Sequence, residues 1–463
     1  MKIDALVAEI GSTTTVVNAF DGLNTSHPRF LGSGFSTTSI SEGDVTIGLN
    51  KAIQHLKINL QVNDLDIIET YASSSAAGGL KMSVHGLVYD MTVKAAKEAA
   101  LGAGANIKMI TAGMIDDDQI NDIRTQLLNI IMIAGGVDYG ERMTSIENAK
   151  KIASLQLNLP VIYAGNIQNQ ETIKQIFSKY QQSEYLYVTK NVYPKIDDLQ
   201  VDEARKIIQD VFHQHIVKAP GMEKVKEMIR GEIIPTPGAV MEASLLLQKA
   251  IGDLVTVDIG GATTDIHSVT QGSDYIEKIL ISPEPFSKRT VEGDLGVFIN
   301  KDNLIEMIGK ERLVHELKLT KEELESIINH YQAIPNQLQY PLTLRLSKEA
   351  FKVAIERHSG RLIKRYQGSG KVEYAEGKDL SNVQYIIATG GALTRLANSE
   401  DIIKSVLSSF NESLLTPSKK AKVLIDKDYI MASLGILSLK HPEASLIILK
   451  QSLGLIPCIQ ESL

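Results

Sequence analysis

LVAEIGSTTTVVNAF (residues 6–20) and VTVDIGGATTDIHSV (residues 255–269) share one pattern. Each runs from an apolar β-type stretch to an acid, an apolar residue, a glycine and small hydroxyl residues, then into a second β-type stretch. Aligning Glu9 with Asp258 also aligns Gly11 with Gly260, Thr14 with Thr263 and Thr15 with Thr264, all at the same offset of 249 residues. A single long-range repeat of this kind predicts two related halves, not a short-period solenoid.

Each copy reads as a β-hairpin closed by a tight glycine turn. Glycine lets the backbone come close to a ligand, and successive N–H groups at such a turn can cradle phosphate oxygens. The candidate contacts are Gly11, Ser12, Thr13 and Thr14 in the first turn, and Gly260, Gly261, Thr263 and Thr264 in the second. Carboxylates beside a phosphate make sense only if Mg²⁺, or water bound to it, lies between them. Glu9 and Asp258 are therefore the candidate metal-water and catalytic groups. The bland alternative for each is a turn carboxylate accepting backbone hydrogen bonds. Asp265 fits a water contact or a turn cap equally well.

Between the hairpins, NIIMIA (129–134), LPVIYA (159–164) and YLYVT (185–189) read as buried strands separated by helical stretches at 145–153 and 171–180. That alternation predicts parallel βα units. The expected division is a first half at 1–104, an inserted α/β layer at 105–235 and a second half at 236–463. PTPGAVMEASLLL, from Pro235, reads as a helix between halves. A helix-rich stretch covers 301–365, with Pro335 and Pro341 expected to break it. GSGKVEYAEGK (368–378) reads as an exposed loop or hairpin. YIIATGGALTRLAN, from Tyr385, reads as a strand, a turn at Gly390–Gly391 and a helix start.

Other candidates are weaker. Gly135, Gly136, Asp138 and Glu141 form an acidic loop at a strand end, where α/β proteins gather ligands, yet turn chemistry alone explains such loops. Ser73, Ser74 and Ser75 lack a nucleophile elbow. His213 and His215 lie two apart, on different faces of a helix.

The 463 residues carry 48 basic and 55 acidic side chains, a formal charge of −7. That balance argues against nucleic acid as the main partner. One cysteine, Cys458, excludes an internal disulfide and points to a reducing, cytoplasmic compartment. The apolar run in MKIDALVAEIGSTTT is too short for a signal segment, and no uninterrupted apolar window is long enough to span a membrane.

Hairpin, hairpin, then strand–Gly–Gly–helix, in that order, resemble the phosphate-1, phosphate-2 and adenosine motifs of the actin, hexokinase and DnaK superfamily. Pro235 onward occupies the place of that superfamily's connecting helix. The resemblance implies an α/β fold of two actin/hexokinase-like (ribonuclease H-like) domains around an interdomain cleft holding ATP and Mg²⁺. It puts Gly390 and Gly391 beside the adenosine. Gly293 and Asp294 in VEGDLG resemble a glycine–acid loop that follows phosphate-2 in DnaK-type chaperones. Glu9 departs from the superfamily's usual Asp, and Thr236 stands where many members have Glu before the helix proline. Asp258 or Glu242 could orient the attacking water instead.

A narrower resemblance covers nearly the whole chain. MKIDALVAEIGSTTTVVNAF, IMIAGGVDYGE, VDIGGATTDIHSV with KRTVEGDLG, and ATGGALTRL are similar to the GlmL family, often labelled MutL. These are accessory proteins encoded beside adenosylcobalamin-dependent glutamate mutase and related aminomutases. Nothing here resembles the mismatch-repair MutL ATPases. The resemblance implies a mutase-maintenance ATPase with mutase subunits as partners, in which an oligomer is possible. A small-molecule kinase of the same fold and an actin-like scaffold are the alternatives. No kinase acceptor site and no cobalamin-binding signature are visible.

Overall fold

The structure is a computed structural model that describes residues 1–39, 44–75, 80–215, 222–231, 233–367 and 370–457. Cys458 lies outside the described residues, as do the side chains of His213 and His215.

The first repeat folds as expected. β1 (Lys2–Ile10), β2 (Thr14–Asp21) and β3 (Arg29–Thr37) form an antiparallel meander. The helix Val45–Asn59, N-capped by the Asp44 side chain, then returns the chain to β4 (Asp66–Ser74), which lies parallel to β1. β1 is buried on both faces, which is why its sequence is a near-continuous apolar run. Leu6, Ala8 and Ile10 pack with Leu49 and Leu56 of the returning helix, while Ala5 and Val7 join Val240, Met241 and Leu247 from the helix Thr236–Ile251.

β5 (Leu80–Gly86), β6 (Ala105–Ala112), β7 (Ile130–Ile133), β8 (Val161–Tyr163) and β9 (Leu186–Val188) build an all-parallel sheet in the order β6-β5-β7-β8-β9. The three strands read between the hairpins are β7, β8 and β9. The sheet reaches further back than residue 105, because β5 is one of its inner strands. β5 carries polar side chains that its neighbours satisfy: the buried His85 ring bonds Thr111 at 2.9 Å and Ser83 at 2.9 Å. Burial lowers its pKa to about 3. β10 (Ile233–Pro235) leaves this layer and joins the first sheet beside β4, giving the order β10-β4-β1-β2-β3.

β11 (Leu254–Ile259), β12 (Thr264–Val269) and β13 (Ser287–Glu292) repeat the meander. β14 (Arg361–Gln367) and β15 (Gly370–Glu376) form the expected hairpin, with residues 368–369 outside the described residues. β16 (Tyr385–Thr389) lies parallel to β11, and β17 (Lys422–Ile425) is parallel to β16. The order β13-β12-β11-β16-β17 is the same plan as the first sheet: three antiparallel strands, then two parallel strands added beyond the first. The registers agree too. Ile10 faces Thr15, and Ile259 faces Thr264, each pair one repeat offset apart. This is the duplicated actin/hexokinase-like α/β fold.

Between the halves, the helix Thr236–Ile251 crosses the helix Met431–Leu437 at Gly435, where a Cβ would lie only 1.8 Å from the Ala239 carbonyl oxygen. Pro335 lies in a gap between helices, as expected. Pro341 instead sits in the first turn of the helix Tyr340–His358, where its missing N–H leaves no bond unmade. No helix among the described residues is long and apolar enough to cross a membrane.

Candidate functional site

Both hairpin turns open onto one cleft of about 310 Å³ between the two halves. The turns are built alike. Gly11 N–H donates to Thr14 O and Gly260 N–H donates to Thr263 O, each at 2.9 Å. A Cβ on Gly11 would stand 2.7 Å from Thr14 O, so the closed turn itself requires glycine. With those bonds made, the N–H groups of Ser12, Thr13, Gly261 and Ala262 donate to nothing among the described residues. Four such free donors at paired turns are available to an anion.

Each turn is braced from behind by different residues. Thr38 N–H donates to Thr13 O at 3.0 Å, and the Thr38 hydroxyl to Gly11 O at 2.8 Å. In the second half the chain after β13 takes this part: Phe298 N–H donates to Gly261 O at 2.9 Å, and Asn300 Nδ2 to Ala262 O at 2.8 Å.

Glu9 and Asp258 both line the cleft, at the ends of β1 and β11, and their surroundings differ. Asp258 is half-buried and has no hydrogen-bond partner among the described residues. Burial first, then the charges of Asp265 and Glu9, push its pKa well above the usual carboxylate range. A carboxylate in that state needs a cation or donors. Glu9 is 7 % exposed and accepts a hydrogen bond from the Tyr429 hydroxyl at 2.9 Å. Burial, opposed by that bond, raises its pKa to about 7. Two raised carboxylates facing one cleft fit a divalent cation held through water. They do not form an all-protein cage, and no group of three or more ligating side chains occurs among the described residues.

Not every expected residue faces the cleft. Gly11, Ser12, Thr13, Thr14, Gly260, Gly261, Thr263 and Gly391 line it. Thr264 is buried, its hydroxyl donating to Leu295 O at 2.8 Å. Gly293 and Asp294 do not line it either. Arg357 holds the Asp294 carboxylate at 2.9 and 3.0 Å, and Asn300 caps Gly293 O at 2.8 Å, so VEGDLG serves the brace behind the turn. Gly390, at φ +86°, lies beneath Asp258: a Cβ there would meet Asp258 Oδ1 and Ile259 O, each at 2.5 Å.

The acidic loop is also explained by turn chemistry. Asp138 accepts from Ile167 N–H at 2.9 Å and Asn191 Nδ2 at 3.0 Å, and Glu141 accepts from Thr144 N–H at 2.9 Å. Asp265 is held by Arg289 at 2.6 and 2.9 Å and by the Thr263 hydroxyl at 2.9 Å. Arg289 also donates to the carbonyls of Leu101 and Ala105, each at 3.1 Å, and so ties the second half to the parallel layer.

Sequence reasoning missed Tyr429, Arg289 and Arg395. Arg395 lines the cleft and stands 5.5 Å over the Phe35 ring of the opposite half. It lies inside the Gly-Gly segment already singled out. Tyr429 had a faint signal: acid-rich IDKDY before an apolar helix, in which Asp426 caps Ile430 and Met431.

The comparisons with known proteins extend over nearly the whole chain. A curated "Protein MutL" from Clostridium tetanomorphum is 35 % identical over 461 residues, covering 97 % of this chain and 98 % of its own. Among solved structures, the nucleotide-free diol dehydratase-reactivating factor is 10 % identical, with 96 % of this chain and 100 % of that one covered at a TM-score of 0.36. A nucleotide-free acetone carboxylase is 11 % identical, with coverages of 94 % and 70 % and a TM-score of 0.38. Likenesses that distant carry no argument about chemistry, and the fold assignment rests on the strand orders. The model of the family described as "MutL protein" matches residues 5–453, and the chain belongs to that family.

Proposed function

We propose that this chain is an ATP-binding, slowly hydrolysing accessory protein that maintains an adenosylcobalamin-dependent amino acid mutase in the cytoplasm. One observation carries the nucleotide reading: two turns of identical hydrogen bonding face a single cleft whose floor holds the unpartnered Asp258 carboxylate.

In this reading the free N–H groups of both turns bind the phosphates, with the Thr13, Thr14 and Thr263 side chains beside them. Asp258 would hold a water of a bound magnesium ion, with Glu9 lining the same cleft. Magnesium, when bound, supplies positive charge against the phosphate oxygens. Thr236, at the position before Pro237, donates to Ser73 Oγ at 3.3 Å and is no base, which fits slow turnover. The bond from Tyr429 to Glu9 and the placement of Arg395 over Phe35 both cross the cleft, so an occupied cleft and an empty one favour different separations of the halves. The client assignment rests on the family resemblance.

Calorimetry with Mg-ATP and Mg-ADP tests the first part, and a folded, nucleotide-free chain that binds neither overturns it. For the second part, inactivated glutamate, ornithine and lysine mutases are each supplied with Mg-ATP, fresh adenosylcobalamin and this protein. Recovery of one activity identifies the client. Phosphoryl transfer to a metabolite, or nucleotide-dependent light scattering, would instead favour the kinase or scaffold.

A further inference from the structure

The parallel layer has two ends with opposite surfaces. Its amino end lies on the cleft, where Gly104 and Asn106 at the start of β6 contribute to the lining. Its carboxyl end lies a strand length away, roughly 20 Å for the seven residues of β5.

Among the described residues between 80 and 201, eight large apolar side chains are exposed, and seven of them sit at the carboxyl end. Exposed apolar residues scattered singly need no explanation. These are gathered: Val88 and Tyr89 follow β5, Met114 follows β6, Tyr139 and Met143 follow β7, Ile167 follows β8 and Ile196 follows β9. Tyr139 is 76 % exposed and Ile196 69 %.

The loops after β7, β8 and β9 are tied together. Asn166 Oδ1 accepts from Tyr139 N–H at 3.3 Å, Asp138 accepts from Ile167 N–H, and Pro194 O accepts from Asp138 N–H at 2.9 Å. Buried Asn166 and Asn191 thus hold three loops in one arrangement, so the apolar tips are preorganised.

In a parallel sheet of this order a small ligand enters the crevice where the connections diverge, here between β5 and β7. The chain packs closely there: a Cβ on Gly86, the last residue of β5, would lie 2.7 Å from Val93 Cγ2, and one on Gly136, just after β7, would lie 2.1 Å from Glu141 O. The surface therefore suits a macromolecule. Around the apolar tips, Asp90, Asp116, Asp117, Asp118, Glu141 and Asp197 are exposed, against Arg142, Lys195 and Lys190, the last paired with Glu203. The Asp116–Asp118 group also serves the start of the helix Asp117–Thr125, but nothing local accounts for the apolar tips.

We propose that the carboxyl edge of the parallel layer docks the client enzyme, through a protein surface with an apolar centre and a basic rim. This rests on the functional reading above. It gives the layer a mechanical sense: one rigid sheet touches the nucleotide cleft at one end and the client at the other, and Arg289 couples it to the second half.

The test uses the full chain with each inactivated mutase as probe. Tyr139→Asp and Ile196→Asp change exposed tips far from the cleft, so both keep the circular dichroism, Mg-ATP affinity and basal hydrolysis of the parent. Each weakens mutase binding at least roughly tenfold, as loss of an interface anchor does. Tyr139→Phe retains binding, and added salt weakens it. If the parent binds a mutase and both Asp variants bind it equally well, this surface is wrong and the functional reading stands. If the parent binds none of the mutases, both are overturned.

Discussion

Replacing Glu9 by Gln tests the electrostatics of the cleft floor directly. Glu9 is almost wholly buried, and its folded pKa of about 7 stands against an ordinary 4.5. A carboxyl whose pKa is raised by folding binds its proton more tightly in the native state. Its contribution to stability is therefore fully present below pH 4.5 and is lost as the pH rises through 7. At 1.36 kcal/mol per unit, the nucleotide-free chain should lose about 3 kcal/mol of stability across that window from this group. Glutamine keeps an oxygen for the Tyr429 hydroxyl but cannot ionise. The assay is urea unfolding, followed by circular dichroism at pH 5 and pH 8 with chelator present, for parent and Glu9→Gln. The variant should be nearly as stable as the parent at pH 5 and more stable by an amount on the order of 3 kcal/mol at pH 8. Removing the Glu9 charge also eases the ionisation of Asp258, which that charge opposes, so Asp258 changes the stability of the variant at pH 8 in the same direction. Parallel pH dependences would refute the reasoning, because Glu9 would then ionise as freely in the fold as in the unfolded chain.

Other outcomes follow from the same geometry. Asp258→Ala should cut ATP hydrolysis far more than ATP affinity, measured by phosphate release against calorimetry, since a metal-water ligand matters most as charge develops on the transferred group. Glu9→Ala should show the same pattern more weakly. Gly390→Ala places a Cβ on the Asp258 carboxylate at a left-handed φ, and should destabilise by about 2–5 kcal/mol, seen as a lowered thermal midpoint. Arg289→Met strips Asp265 of its buried partner and frees the carbonyls of Leu101 and Ala105, which should lower stability by about 3–5 kcal/mol in urea. Asp265→Asn in that background should recover part of the loss.

What the chain declares by itself is local. A β-run, an acid, a glycine and threonines suffice to specify each hairpin, because a turn is decided by a few adjacent residues and their own hydrogen bonds. The duplication was therefore legible from residues 6–20 and 255–269, and the structure gives both copies the same register, Ile10 facing Thr15 and Ile259 facing Thr264. The Pro-started helix at 236 and three strands of the parallel layer, β7, β8 and β9, were legible as local patterns too. Tertiary structure decided everything that depends on which surfaces meet. Tyr429 reaches Glu9 across 420 positions, and Arg289 reaches Leu101 across 188. VEGDLG has the composition of a phosphate loop, yet Arg357 and Asn300 turn it into a brace. β5 belongs to the parallel layer because β6 and β7 flank it, a pairing its seven residues cannot announce. Turn chemistry acts over a few bonds, whereas the charge state of Glu9 and the apolar rim of the layer exist only once distant segments have excluded water from one face and left another open.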